Sequence, residues 1–250
     1  MNDLSDIDSL SKQVEELVRE QQQVLSIISH DLRSPLNRVF ALTQLIQMNA
    51  TNLTTEQKDY LEKMHLIIAD GLAMMRNLVD YRNLEYRTID LHPETFNAGD
   101  LLETCVKNFK PIASKKNIEL ELTYESNLIV TTDKQCLSRA IDNLLANAVK
   151  FSPAGKKVSV HADAPFVNYI KIEVQDEAHG FSSDEVPRLF HKFQKFSVRP
   201  TGGESSTGLG LFIAQAMAEK IGGKTKCVTT EGAGSVFSVE IPKTIDQSNK

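Results

Sequence analysis

A chain of 250 residues is long for one compact domain and comfortable for two, each able to bury its own core. With 41% hydrophobic residues, 24% charged residues and a formal net charge of -5, the composition is that of an ordinary globular protein and argues against a nucleic-acid-binding surface. No uninterrupted apolar run approaches the roughly 18 residues a membrane helix needs, and Met1 to Glu20 lacks the pattern of a signal peptide, so the expectation is a cytoplasmic chain without a membrane span.

From Ile7 onward apolar residues recur at steps of three and four: Ile7, Leu10, Val14 and Leu17, then, across a polar Gln21, Val24 and Ile28. That is a heptad seam. Leu36, Val39, Leu42 and Ile46 keep helical spacing beyond Pro35, which predicts one helix to about Met48 with a kink at the proline. Residues 49–53 then form a turn. Thr54 with Gln57 fits a capping box, and Leu61, Met64, Ile68, Leu72, Met75 and Val79 supply the stripe of a second helix ending near Glu85. A lone hairpin cannot cover such a stripe, whereas two copies close a four-helix bundle. The periodicity therefore implies a homodimer through residues 1–88.

The helical pattern breaks between Tyr86 and Asn97, and a second domain is expected over 93–250. Alternation predicts strands around 118–122, 158–160, 170–174 and 237–241. Capping boxes at Thr132 with Gln135 and at Ser182 with Glu185 are read as helix starts, the first helix running through Lys150. The fold class is α+β: an antiparallel helical hairpin forming a dimeric four-helix bundle, then an α/β sandwich with helices on one face of a mixed sheet. Cys105, Cys136 and Cys227 are odd in number and far apart, which points to buried thiols.

Three clusters carry chemistry. In Ser29 to Leu36 an imidazole, His30, lies beside Asp31, Arg33 and Ser34. A histidine on a long helix is, taken alone, more often a solvated surface residue. Here Ile28 and Leu32 take the seam and leave His30 on the outer flank, where a neutral imidazole can act as a nucleophile while Asp31 takes up its ring proton. In Asp142 to Lys150, residues Asn143, Asn147 and Lys150 share one helix face. They are either core amides satisfied by backbone groups, or an oxygen ligand for Mg²⁺ and a cation for phosphate. Asp176, in Asp176-Glu177-Ala178-His179-Gly180, closes a predicted strand and is either a turn aspartate or an acceptor for an exocyclic amine. The third cluster, Gly202 to Leu211, is a glycine-rich loop entering a helix, a place where backbone N–H groups can meet phosphates. Phe190, Phe193 and Phe196 with Lys192, Lys195 and Arg199 read as an aromatic hinge and a basic tip, and Gly232-Ala233-Gly234 as a hairpin turn.

These segments, in this order and spacing, resemble the sensor histidine kinases. Ser29 to Leu36 looks like their H box, Asn143 to Lys150 with the adjoining Phe151 like the N box, and Asp176 to Gly180 like the first glycine box. Leu189 to Phe196 looks like the F box, and Thr207 to Leu211 like the second glycine box. The resemblance implies a dimerization and histidine-phosphotransfer domain followed by a Bergerat-type ATP-binding domain, with ATP and Mg²⁺ as cofactors. It implies that His30 is the phosphoacceptor and Asp31 the candidate general base. It further implies that Asn147 holds Mg²⁺, that Asn143 and Lys150 contact phosphates, and that Asp176 binds the adenine amine. Lys195 matches a basic lid position. Thr207, Gly208, Leu209, Gly210 and Leu211 form the loop whose glycines cradle the phosphates, and Gly180 belongs with Asp176. The implied partners are a second copy of the chain and the receiver domain of a response regulator, with no nucleic acid, and the chain looks like the cytosolic module of a larger sensor. Three positions depart from the pattern: Asp31 where glutamate is commoner, Ser34 where threonine or asparagine is commoner, and Ala178 where glycine is expected. Hydrolytic ATPases of the same superfamily, or a non-catalytic dimeric scaffold, are the alternatives.

Overall fold

The computed structural model describes residues 31–86 and 90–245. The chain divides into two compact units, Met1–Tyr86 and Arg87–Lys250. The predicted seam over residues 7–28 and His30 itself lie outside the described residues.

In the first unit, helix α1 occupies 31–49 and α2 Thr55–Tyr86. The capping box at the start of α2 is reciprocal: Gln57 N–H donates to Thr54 Oγ1 at 3.2 Å and Thr54 N–H to Gln57 Oε1 at 3.0 Å. The Phe40 and His65 rings meet at 5.1 Å, and Leu36 packs on Gly71. Stepping back along α1 thus means stepping forward along α2, which makes the pair antiparallel. Leu61 and Ile68 are buried between them. Val39, Leu42 and Ile46 on α1 and Met64 and Ile67 on α2 are not, with Leu42 59% and Ile67 72% exposed; Leu32, read above as a seam residue, is exposed as well. A single copy leaves rows of apolar side chains at helical spacing in water.

The second unit opens with β1 (Pro93–Asn97), paired antiparallel with β3 (Ile129–Asp133). Between them run α3 (Ala98–Lys115), capped by the Asn97 side chain on Gly99 N–H, and β2 (Glu119–Tyr124). There follow α4 (Lys134–Phe151), β4 (Lys157–Phe166), β5 (Tyr169–Asp176), a 3₁₀ turn (Val186–Arg188), α5 (Gly210–Lys220), β6 (Lys224–Thr230) and β7 (Gly234–Pro242). The main sheet has the order β2-β4-β5-β7-β6, with β2 parallel to β4 and the remaining pairs antiparallel. One face carries Val158, Val160, Ala162, Ile170, Ile172, Val174, Val239 and Ile241, all fully buried, together with Leu102, Ile141, Leu145 and Ile213 of the helices. The other face carries solvent-side ion pairs such as Lys157–Glu121 and Lys226–Glu240. Exposed pairs contribute about 1 kcal/mol at most, whereas each buried aliphatic side chain contributes roughly 1.5–3 kcal/mol, so the helix-covered face holds the unit together.

Two predicted helix starts are corrected. Helix α4 is capped by Asp133, whose Oδ1 accepts Cys136 N–H at 2.9 Å. Thr132 is held in the β3 ladder opposite Glu94, so it cannot serve as the cap. Ser182 N–H does donate to Glu185 Oε2 at 3.2 Å, but only the 3₁₀ turn follows, with Pro187 inside it. Cys105 and Cys136 are buried and Cys227 half-buried, each as a thiol.

Candidate functional site

Helix α4 places Asn143, Asn147 and Lys150 on one side. Asn143 is buried and its Nδ2 donates to Arg139 O at 2.7 Å, which is the backbone satisfaction that a core amide requires. Its Oδ1, with both polar atoms of Asn147, faces Gly210, the first residue of α5: a Cβ there would stand 3.3 Å from Asn147 Nδ2 and Oδ1 and 3.5 Å from Asn143 Oδ1. Any side chain at Gly210 would fill the space in front of the two amides. The N-terminus of α5 has no side-chain cap, so its first N–H groups, at the positive end of the helix dipole, lie next to those amides.

The loop before α5 is shaped by Gly208. Its φ is +69° and a Cβ would run into the backbone of Gln194, while its carbonyl accepts Phe193 N–H at 2.9 Å. Thr207 Oγ1 accepts Leu209 N–H at 3.3 Å, and Leu209 and Leu211 are buried anchors of the turn. Lys150 Nζ donates to Ser205 O, which ties the third α4 residue to the same loop. Phe151, the last residue of α4, is half-buried. Phe190 and Phe196 pack edge-on to Phe237 and Phe181, whereas Phe193, at φ 61°, is exposed. Lys195 is exposed.

Asp176 ends β5 and is only 5% exposed. Burial pushes its carboxyl up to about 6, against the pull of the Ala178 and Ser235 backbone N–H groups that bond it. Ala178 N–H donates to Oδ1 at 3.0 Å. Ala178 is not at positive φ: among the described residues the non-glycine positions there are Asn117, Asn127 and Phe193. The left-handed step of this loop is taken by Gly180 at +73°, where a Cβ would strike Thr230 O.

Two site-adjacent positions escaped the sequence. Thr229 Oγ1 accepts Phe181 N–H at 3.0 Å, donates to Gly234 O at 2.9 Å and lies 2.9 Å from Ser235 Oγ. At Gly234, φ +103°, a Cβ would strike the Asp176 carbonyl oxygen. The glycines of 232–234 signalled only a turn, yet this turn packs against the Asp176 strand end. In the helical unit, Asp31 and Ser34 are exposed and Arg33 is half-buried on α1. Among the described residues no group of three or more His, Cys, Asp or Glu side chains is placed to hold a metal ion. A cation here would rest on the Asn147 amide oxygen and on oxygens of a bound ligand, an arrangement that suits Mg²⁺.

Two family models match the chain: His Kinase A (phospho-acceptor) domain over residues 20–87, and Histidine kinase-, DNA gyrase B-, and HSP90-like ATPase over residues 132–245. The chain is 30% identical over 253 residues to the sensor histidine kinase GacS of Pseudomonas protegens, a match covering 97% of this chain and 27% of that protein. It is 26% identical over 243 residues to the swarming motility regulation sensor protein RssA of Serratia marcescens, covering 95% of this chain and 50% of that one. Among solved structures it resembles full-length ShkA in complex with AMPPNP, with 26% identity and a TM-score of 0.67 over 90% of this chain and 46% of that one. The chain thus spans between about a quarter and a half of the length of these proteins.

Proposed function

Because this chain belongs to the sensor histidine kinases of two-component systems, we propose that it binds Mg²⁺-ATP in residues 93–250, moves the γ-phosphoryl group onto His30, and passes it to a receiver-domain aspartate. The observation that carries this reading is the uncapped N-terminus of α5 lying, through Gly210, against the Asn143 and Asn147 amides. Asn147 lends its amide oxygen to Mg²⁺, while Asn143, Lys150, Lys195 and the N–H groups of 207–211 meet the phosphates. Phe151 closes the end of the α4 face. Asp176, beside Gly180, accepts from the adenine amine. In the transfer an imidazole nitrogen of His30 bonds to the γ-phosphorus as the bond to the β,γ-bridging oxygen breaks. ADP leaves, and the ring proton passes to Asp31. Arg33 offers charge to the phosphorylated ring, and Ser34, one turn on, offers a hydroxyl for later water attack. Such chemistry belongs in the ATP-rich cytoplasm, where this chain is the catalytic part of a larger sensor.

Incubation with γ-labelled ATP and Mg²⁺ should give acid-labile, base-stable label on the protein. Steady phosphate release without label would place the chain with the hydrolytic ATPases instead.

The exposed rows on α1 and α2 support dimerization through residues 1–88. Light scattering should give a dimeric mass for that fragment and a monomeric one for 93–250; a monomeric hairpin at tens of micromolar would sink the assignment. Ala178 supports function rather than degeneracy, since its backbone needs no glycine. Ala178→Gly should change the affinity for a non-hydrolysable ATP analogue by less than about tenfold, or roughly 1.4 kcal/mol, in a calorimetric titration. Tight binding only after the substitution would favour the scaffold reading.

A further inference from the structure

The carboxyl ends of helices leave carbonyls without partners and carry partial negative charge. At the end of α4 an unusual residue meets them. Lys116, the residue that closes α3, extends its ammonium to Val149 O at 2.7 Å and Lys150 O at 2.9 Å. The same Nζ stands 3.5 Å from Glu204 Oε1, and the two side chains are only 15% and 21% exposed. The other Glu204 oxygen accepts Gly202 N–H at 2.9 Å. Between these ties, Thr201 N–H donates to Lys150 O at 3.1 Å, and Thr201 Oγ1 to Ser152 O at 2.7 Å. Segment 201–204 is therefore folded onto the end of α4, and the next residue, Ser205, receives Lys150 Nζ.

A plain helix cap would need only the two carbonyls. Here a single ammonium joins three parts: the end of α3, the backbone root of Lys150 and the loop that the Lys150 side chain bonds. We propose that Lys116, paired with Glu204, is a positioning residue for the nucleotide's terminal phosphate, fixing the 201–205 segment and thereby where the Lys150 ammonium stands. It acts through Lys150 and the loop, without contact to the nucleotide. Glu204 also favours the charged form of Lys116, which burial disfavours. The inference rests on the reading that residues 93–250 bind ATP.

The test is calorimetry on the full chain with ADP and with AMPPNP, each with Mg²⁺, for the native protein, Lys116→Met, Lys116→Arg and Glu204→Gln. Lys116→Met and Glu204→Gln should weaken AMPPNP about fivefold or more while ADP stays within about twofold, and Lys116→Arg, which can meet both carbonyl and carboxylate, should restore the ratio. A merely structural lysine would lower the melting temperature and leave the AMPPNP-to-ADP ratio where it was; that result overturns the proposal. Should Lys116→Met fail to fold, Glu204→Gln decides alone, because its side chain sits on the loop. If the native chain binds neither nucleotide, the ATP-binding reading fails, and the inference falls with it.

Discussion

An Asp176→Asn chain should lose ATP and yet fold more stably than the native chain above pH 6. The Asp176 carboxyl is raised from 3.8 to about 6, chiefly by burial. A carboxyl whose folded value lies above its unfolded one contributes stability that is complete below about 4 and is lost as pH climbs through 6. That difference corresponds to something on the order of 3 kcal/mol. Asparagine has no such dependence and keeps an oxygen for Ala178 N–H. Denaturation midpoints at about pH 3.5 and 7.5 should therefore converge at the lower pH and separate, in favour of the variant, at the higher. A native chain that keeps pace with the variant through this window removes the burial argument. Binding suffers for a different reason. The asparagine NH₂ would face the adenine amine donor to donor, and a mismatched pair in a buried site should weaken ATP by about 100-fold or more. An affinity within about threefold of native would show that Asp176 does not meet the base.

His30→Ala should reduce label from γ-labelled ATP to background while AMPPNP affinity stays within about twofold, as expected for sites in separate units. Alanine offers no nucleophile. Persistent acid-labile label on the variant would move the acceptor to one of the other five histidines.

The parts of the fold that the sequence discloses are those whose spacing is enforced by burial on one side. The strands 170–174 and 237–241 and the Leu61 and Ile68 positions of the α2 stripe follow from period, because one face of each is buried, and the cap at Thr54 follows from its local Thr-x-x-Gln motif. Strands β1, β3 and β6 are hidden for the converse reason. Pro93 and Asn97 look like loop residues, β3 is five residues long, and Lys-Thr-Lys-Cys-Val-Thr-Thr at the sheet edge mixes charge and threonine with little apolar contrast. Missing β3 also displaced the α4 cap by one residue. Asn143, Asn147 and Lys150 announce themselves by helical spacing. Thr229, Glu204 and Lys116 do not, since their partners are remote in sequence and only the folded chain brings them together.

Asp133 has a mechanical consequence. Its Oδ1 caps α4 through Cys136 N–H, and its Oδ2 accepts His92 N–H at 2.8 Å. The strand that carries it is also stitched to the end of the described chain by Thr131 N–H on Lys243 O at 2.6 Å. One carboxylate thus moors the entering polypeptide at His92 to the first turn of the helix that bears Asn143, Asn147 and Lys150. The backbone at His92, the first turn of α4 and the Asp133 end of β3 share one carboxylate, so that none of the three can shift without breaking a hydrogen bond to the others.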